Sequence, residues 1–403
     1  MKITDIKALE ILDSRGEPTI EVELMSHDVS AIFGVPAGAS TGKKEARELR
    51  DGDKRYGGKG VEKAITQLES VRSKLLGMEL FDQSKFDELL IELDGTIDKS
   101  NLGANTVVGL SIAYTILCAK AQKQPLWQYI ASKYNTTPDF PRIYANLVNG
   151  GKHAPGLDIQ EFMIVPINNV MQDSIQKITE FRNNLKQELS KVFGVGAELV
   201  GDEGGFAPTG ATAEQILSIY KDINNSMNNY FEFALDSAAS SFYKDSKYVY
   251  EKTKLNAQQL LDIYNKYSDD YGMLSIEDPF AEDDIDAWQN LSGTEHSFFV
   301  VGDDLTVTNA ELTDKYAKDN LIDGVIIKPN QIGTMTETMQ TISSARQNNI
   351  KVIVSHRSGE TTSTFICDLA YAVGAFGIKI GAPVRGERVA KYDRLLEISK
   401  EVK

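Results

Sequence analysis

Six short apolar runs between Phe231 and Gly381 each carry, at or near their C-terminal end, a side chain able to hold a metal, a proton or an anion. They are FEFALD with Asp236, MLSIED with Glu277, FFVVGDD with Asp303, GVIIKPN with Lys328, KVIVSHR with His356 and GIKIG with Lys379. Carboxylate oxygens are the hard ligands that Mg²⁺ takes, with substrate oxygens or water completing its shell. Any one of the three acids alone reads as a helix cap or turn residue. Three at successive run ends read as a metal site. Lys328 and Lys379 lie in otherwise apolar runs, where an unpaired ammonium is costly. Desolvation and neighbouring cations are expected to favour the neutral amine, which is a usable general base. SHRSGET gathers His356, Arg357 and Ser358, donors suited to a phosphate or carboxylate. GDEGGF sets Glu203 among glycines, which permit a tight turn and close approach of backbone to ligand. His153 lies in the Gly/Pro loop NGGKHAPG.

The elements that must position these residues follow from their spacing. From Asp236 through Glu277, Asp303, Lys328 and His356 to Lys379 the steps are 41, 26, 25, 28 and 23 residues. A parallel strand, a loop and a crossover helix need roughly that many. Uniformly apolar runs suit strands buried on both faces, and a reactive residue at each strand end is the rim of a (β/α) barrel. Upstream, Ile143–Val148 and Gln160–Pro166 read as strands separated only by a Gly/Pro loop, too short for a helical crossover, so this pair is expected to be antiparallel. A helix over about 171–192, another near 213–228, and crossover helices at 309–319, 334–348 and 361–373 complete the repeat.

Residues 1–35 read as three strands (KITDIKALEIL, TIEVELMS, AIFGVP) with turn residues between them, and period-two alternation from Thr19 to Leu24 predicts an antiparallel meander,. Helical patterns follow at about 60–76, 83–93, 104–121 and 125–133, the first with Val61, Ala64, Ile65, Leu68, Val71 and Leu75 on one face. The twice proline-interrupted NTTPDFP marks a joint. The expected organisation is therefore an α+β capping domain over 1–137 and a catalytic (β/α)8-type barrel with an antiparallel ββ opening over 138–403.

The chain has 403 residues, 41% apolar and 25% charged, with a formal net charge of −15. That balance opposes a nucleic-acid partner and any polybasic membrane anchor. The two cysteines, Cys118 and Cys367, sit in apolar context and are read as buried thiols of a reducing compartment. No signal peptide or membrane span is expected. MKITDIKALEI carries charge where an apolar core would be, and the uncharged stretch 101–119 contains Asn, Thr, Ser and Gly. These features point to the cytoplasm.

In order along the chain, DSRGEPT, GASTG, ELRDGDK, LGAN, NLVNGGKHA, IQEFM, GDEGGFAP, SIEDPFAEDD, GDDLTVTN, KPNQIGT, SHRSGET and GAPVRGERVAKY resemble the signatures of the enolase family, nearly end to end. The resemblance implies a lyase of glycolysis and gluconeogenesis that reversibly dehydrates 2-phospho-D-glycerate to phosphoenolpyruvate. A Lys or His base working with one or two Mg²⁺ ions is the known pattern of the enolase superfamily. It implies Asp236, Glu277 and Asp303 as ligands of the first Mg²⁺, and Ser40 as a ligand of a second that arrives with substrate. Lys328 is implied as the base at C2 and Glu203 as the acid at the C3 hydroxyl. Glu161 would support that acid; His153, Gln160, Lys379, Arg357 and Ser358 would bind substrate, the last two at the phosphate. Loops bearing Ser40 and His153 would close over it. A homodimer or octamer is implied, with Arg15 a candidate for the contact between copies. Departures from the family pattern are Ala37, Pro329, Ile380, Thr362 and Ser363, the short Pro155-containing loop after His153, and a shortened 244–272 region and tail. None removes a proposed catalytic group. The contrasting reading is a non-catalytic binding or scaffold protein on the same fold, which would not need all of these groups.

Overall fold

The computed structural model describes residues 1–39 and 42–402. The chain opens on the expected meander of β1 (Asp5–Leu12), β2 (Pro18–Ser26) and β3 (Val29–Gly34), all antiparallel. Strand alternation in β2 buries Ile20, Val22 and Leu24 and half-exposes the glutamates between them,. Four helices follow: α1 (Glu62–Leu75), α2 (Gln83–Asp94), α3 (Ala104–Ala121) and α4 (Leu126–Tyr134). α1 buries Ala64, Leu68, Val71 and Leu75, spaced to share one helical face,. α3, apolar all round, packs on β2 and β3. Among the described residues it is the one helix long and apolar enough to cross a membrane, and 83% of it is buried inside the protein. Both cysteines are buried, unbridged thiols.

The larger part of the chain begins with β4 (Arg142–Asn149) and β5 (Glu161–Pro166), which pair antiparallel as their short connection requires,. Then come α5 (Met171–Phe193), α6 (Ala213–Ser226) and β6 (Phe231–Asp236). Next is an element the sequence did not announce, a small separate sheet of β7 (Tyr243–Lys244), β8 (Lys247–Tyr250) and β9 (Thr253–Leu255). Its two turns place Asp245, Ser246, Glu251 and Lys252 at positive φ, without the Asn-Gly or Asp-Gly pair that normally marks such hairpins,.

The regular repeat follows. It comprises α7 (Ala257–Tyr271), β10 (Met273–Glu277), α8 (Ile285–Ser292), β11 (Phe299–Gly302), α9 (Ala310–Lys318) and β12 (Gly324–Ile327). It continues with α10 (Pro329–Ile332), α11 (Met335–Gln347), β13 (Lys351–Ser355), α12 (Phe365–Ala372), β14 (Gly377–Lys379) and α13 (Gly386–Glu401). β4, β5, β6 and β10–β14 close into one ring, antiparallel only on the two sides of β5.

Period-two alternation decides what faces the inside of that ring. One layer of Tyr144, Met163, Val165, Ala234, Leu274, Val301, Ile326 and Ile353 fills its middle. Two residues further along toward the ring's C-terminal end stand Asn146, Asp236, Asp303, Lys328 and Ser355, with Glu161 at the same end of the oppositely running β5. Sheet register sets Glu277 level with Asp236, and Lys379 level with Ser355. Non-glycine residues at positive φ follow three of these strands: Ala238, Asp278, and Val307 with Thr308. Each such residue stores strain of roughly 1–3 kcal/mol, the kind that gathers at functional rims.

Candidate active site

Asp236, Glu277 and Asp303, the carboxylates proposed as metal ligands, occupy the strand ends as expected, but each already has a cation. Lys379 Nζ lies 2.7 Å from Glu277 Oε2, 3.3 Å from Asp236 Oδ2 and 3.3 Å from Glu161 Oε1. Lys328 Nζ pairs with Asp303 Oδ2, and Gln331 Nε2 donates to Asp303 Oδ1 at 2.9 Å. The expectation of neutral lysines is therefore corrected. Burial pulls both ammonium groups down, but Asp303 beside Lys328, and Glu161, Glu277 and Asp236 around Lys379, outweigh it and hold both above the usual lysine value,. Burial and the neighbouring Asp236 push Glu277 well up. Burial also lifts the Asp303 carboxyl, but Lys328 more than offsets it and keeps Asp303 low.

Do these residues suit a divalent cation? Glu277 Oε1 is buried without a hydrogen-bond partner, and Gln160 donates to Asp236 Oδ2 at 3.3 Å. Around them Asp278, Asp303 and Asp304 bring carboxylate oxygens within 4.8 Å of one another. Burial and Asp303 push Asp304 up to about 8. Buried carboxylates outnumber the cations, and they must take up either protons or positive ions. An all-oxygen donor set with an orphaned oxygen fits Mg²⁺.

The acid wall is built from loops. Glu203 hangs from the turn after α5, where Gly204 has φ +83°. A Cβ on Gly205 would come within 2.5 Å of Asn149 Oδ1, and one on Gly381 within 2.7 Å of the Glu203 carbonyl. Asn146 Nδ2 donates to Glu203 Oε2 at 2.9 Å, while His153 Nε2 and His356 Nε2 lie 3.5 and 3.4 Å from Oε1. His153 Nε2 also stands 3.8 Å from Glu161 Oε1. Burial raises both carboxyls, but His356 and His153 pull Glu203 well below the usual range, whereas the charge of Glu203 adds to burial at Glu161 and drives it well above. The proton of this pair rests on Glu161. Burial lowers His356 to about 4 against the pull of Glu203, so the ring is neutral.

The third wall is the segment after β13. Arg357 is fully buried between Glu45 (NH1 to Oε2 3.0 Å, NH2 to Oε1 3.2 Å) and Asn330 Oδ1 at 3.0 Å. Ser358 Oγ accepts from Ala39 N at 2.7 Å and from Arg15 NH1 at 3.3 Å. Within the chain, Arg15 thus braces this segment, and it also pairs with Asp13 at 2.9 Å. Ala37 contributes through its backbone, exchanging two hydrogen bonds with Gly359, a tie that does not depend on the side chain at this position. Pro329 sits at the start of α10, where its lack of an N–H is harmless,.

One cavity is lined by His153, Gln160, Glu161, Glu203, Asp236, Asp303, Lys328, Arg357 and Ser358. Lys379 and Glu277 join them through the contacts above. Ser40 lies outside the described residues. Several site residues were missed in the sequence reading: Glu45, Asn146, Asp278, Asp304, Asn330, Gln331 and Arg388. Glu45 sits in a charge-rich loop that reads as solvated. Asp278 and Asp304 were visible as the second acids of IED and GDD, and the rest carried no spacing signal.

A capped (β/α) barrel with an antiparallel opening and an acidic, lysine-bearing rim defines the class. Residues 3–130 match the family model described as the N-terminal domain of enolase, and residues 139–403 match its C-terminal TIM barrel domain. The chain is 45% identical to an enolase of Ehrlichia chaffeensis over 99% of its own length and 96% of that protein's. It is 42% identical to an enolase of Methanocaldococcus jannaschii over 100% and 96%. It is 44% identical to one from Campylobacter lari over 98% and 96%. The chain belongs to the enolase family.

Proposed function

We propose that this protein catalyses the reversible dehydration of 2-phospho-D-glycerate to phosphoenolpyruvate and water, as a Mg²⁺-dependent hydro-lyase of glycolysis and gluconeogenesis. The observation that carries this reading is the placement of a base and an acid pair around one cavity. Lys328 follows β12, and Glu161 opens β5, four strands away in either direction round the eight-stranded ring. Glu203 stands beside Glu161 on that far side, sharing His153 with it.

The roles follow from the chemistry each group can do. Lys328 takes the proton from C2; that electron pair forms the C2–C3 double bond as the C3–O bond breaks. The departing hydroxyl leaves as water with the proton that rests on Glu161, passed by way of Glu203 beside it, so that Glu203 acts as the acid at the C3 hydroxyl and Glu161 supports it by supplying the proton,. Arg357 and Ser358 hold the phosphate, which requires Arg357 to share or release Glu45. His153, Gln160 and Lys379 orient the remainder. Asp236, Glu277 and Asp303 would hold one Mg²⁺ and Ser40 would join a second; the chemistry these ions supply is positive charge over the substrate carboxylate as its α-proton is lost. Were Asp303 taken up as a metal ligand, Lys328 would lose the partner that holds it protonated.

Residues 1–137 serve as the cap, supplying Glu45 and Ala39 to the site, and 138–403 as the barrel. We place the protein in the cytoplasm, as a dimer or octamer. Support for self-association comes from Leu9, Leu12 and Ile32, exposed on the N-terminal sheet, and from Val195 and Leu199 after α5,. Phosphoenolpyruvate absorbance, followed with 2-phosphoglycerate and Mg²⁺ before and after chelator, tests the function. A Mg²⁺-dependent rise that chelator abolishes is expected; no such signal overturns the reading.

A further inference from the structure

We propose that Arg388, on α13, is a positioning residue that fixes the tautomer of His356, so that the imidazole meets the acid wall of the cavity only as an N–H donor at Nε2. Arg388 is fully buried, a rare state for an arginine,. Its NH1 lies 2.5 Å from His356 Nδ1 and donates to the Arg357 carbonyl at 2.7 Å; its NH2 donates to the Ser358 carbonyl at 2.6 Å. A guanidinium has five donors and no acceptor. Nδ1 must therefore be the acceptor, and the single proton of a neutral ring is left on Nε2.

That Nε2 has no hydrogen-bond partner among the described residues, yet it lies only 3.4 Å from Glu203 Oε1. An ionised carboxylate only accepts, so the arrangement is donor toward acceptor with a gap a ligand hydroxyl can adjust. His356 is then excluded as a proton acceptor, and its N–H holds Glu203, or the leaving hydroxyl beside it, in place. The rest of the same helix face serves the same end. Lys391 Nζ binds Glu360 Oε2 at 2.9 Å and the Thr361 carbonyl at 3.2 Å, and Tyr392 OH donates to the Gly381 carbonyl at 2.7 Å. Positions 388, 391 and 392 share one face, as i, i+3 and i+4 neighbours do, and together they grip the segments on both sides of His356.

The catalytic part of this inference rests on the proposed dehydration, but the tautomer does not, and the experiment separates them. Long-range ¹H–¹⁵N spectra of ¹⁵N-histidine-labelled protein are expected to show His356 Nδ1 in the unprotonated range and Nε2 in the protonated range. The signal is assigned by its loss in His356→Gln. In Arg388→Met the two nitrogens are expected to average between tautomers, with kcat down on the order of 10²-fold, KM within about 3-fold, and part of the loss recovered in Arg388→Lys. His356→Gln keeps a donor near the Nε2 position and is expected to outperform His356→Asn by about 10-fold or more. A protonated Nδ1 in the unaltered protein overturns the proposal. So does equal activity of the Gln and Asn variants, or an Arg388→Met protein with unchanged spectrum and kcat. If Arg388→Met fails to fold, the unaltered protein's spectrum and the His356 pair still decide. Failure of the unaltered protein to turn over substrate would count against the proposed function and leave the tautomer standing.

Discussion

The two ends of the barrel interior obey the same register and reach opposite electrostatic outcomes. At the N-terminal end the inward positions are Arg142, Glu232, Phe299 and Lys351. Arg142 pairs with Glu232, and Lys351 Nζ lies 3.7 Å from the Phe299 ring centroid and 5.6 Å from that of Phe376. Arg142 has a carboxylate there and Lys351 two aromatic faces. Two layers up, Glu161, Glu203, Asp236, Glu277, Asp278, Asp303 and Asp304 face fewer cations, with Glu277 Oε1 and Glu161 Oε2 orphaned. The middle apolar layer insulates one end from the other. Charge inside a barrel is thus not itself the mark of a site; uncompensated charge is.

The comparison can be broken at several places. The largest expected effect is at the rim: Lys328→Ala should keep its fold by circular dichroism and lose kcat by roughly 10³-fold or more. Near-normal turnover would remove Lys328 from the role of base. Glu203→Gln should follow, with a loss on the order of 10²-fold in kcat and a smaller change in KM, read in the same absorbance assay. Glu45→Gln leaves the buried Arg357 without its bidentate partner, and breaking a buried pair of this kind costs about 3–5 kcal/mol,. Urea unfolding should show that loss, and substrate should restore part of it by putting phosphate on Arg357.

Mg²⁺ should also stabilise the unaltered chain, by about 2.7 kcal/mol at a hundred times its Kd, since it binds only the assembled carboxylates. A thermal midpoint indifferent to Mg²⁺ and chelator would mean that protons, not metal, offset the rim charge. The smallest effect belongs to the other end. Lys351→Met should lower stability by about 0.5–1 kcal/mol, the worth of an exposed cation–π contact, and leave kcat unchanged. A large loss of activity there would erase the distinction between the two ends.

Much of this was legible before any coordinates. Asp236, Glu277, Asp303, Lys328 and Lys379 each end an apolar run, and in a barrel the end of a run is the mouth. The antiparallel β4–β5 opening followed from loop length alone. Glu45 was not legible, because a carboxylate in a charged loop looks the same in sequence whether water or Arg357 receives it. The short sheet β7–β9 escaped because its turns use residues that rarely adopt positive φ.

By itself the sequence determined the order of the barrel strands and the identity of the groups at the mouth, since periodicity and spacing are local properties of a chain. The protonation states were decided only by tertiary structure. Lysines expected to be neutral are held charged by carboxylates brought in from other strands. Glu161 and Glu203 divide one proton according to which histidines stand beside them, and His356 takes its tautomer from an arginine 32 residues away. Electrostatic free energy depends on distances through space and on burial, and neither is written in the order of the residues.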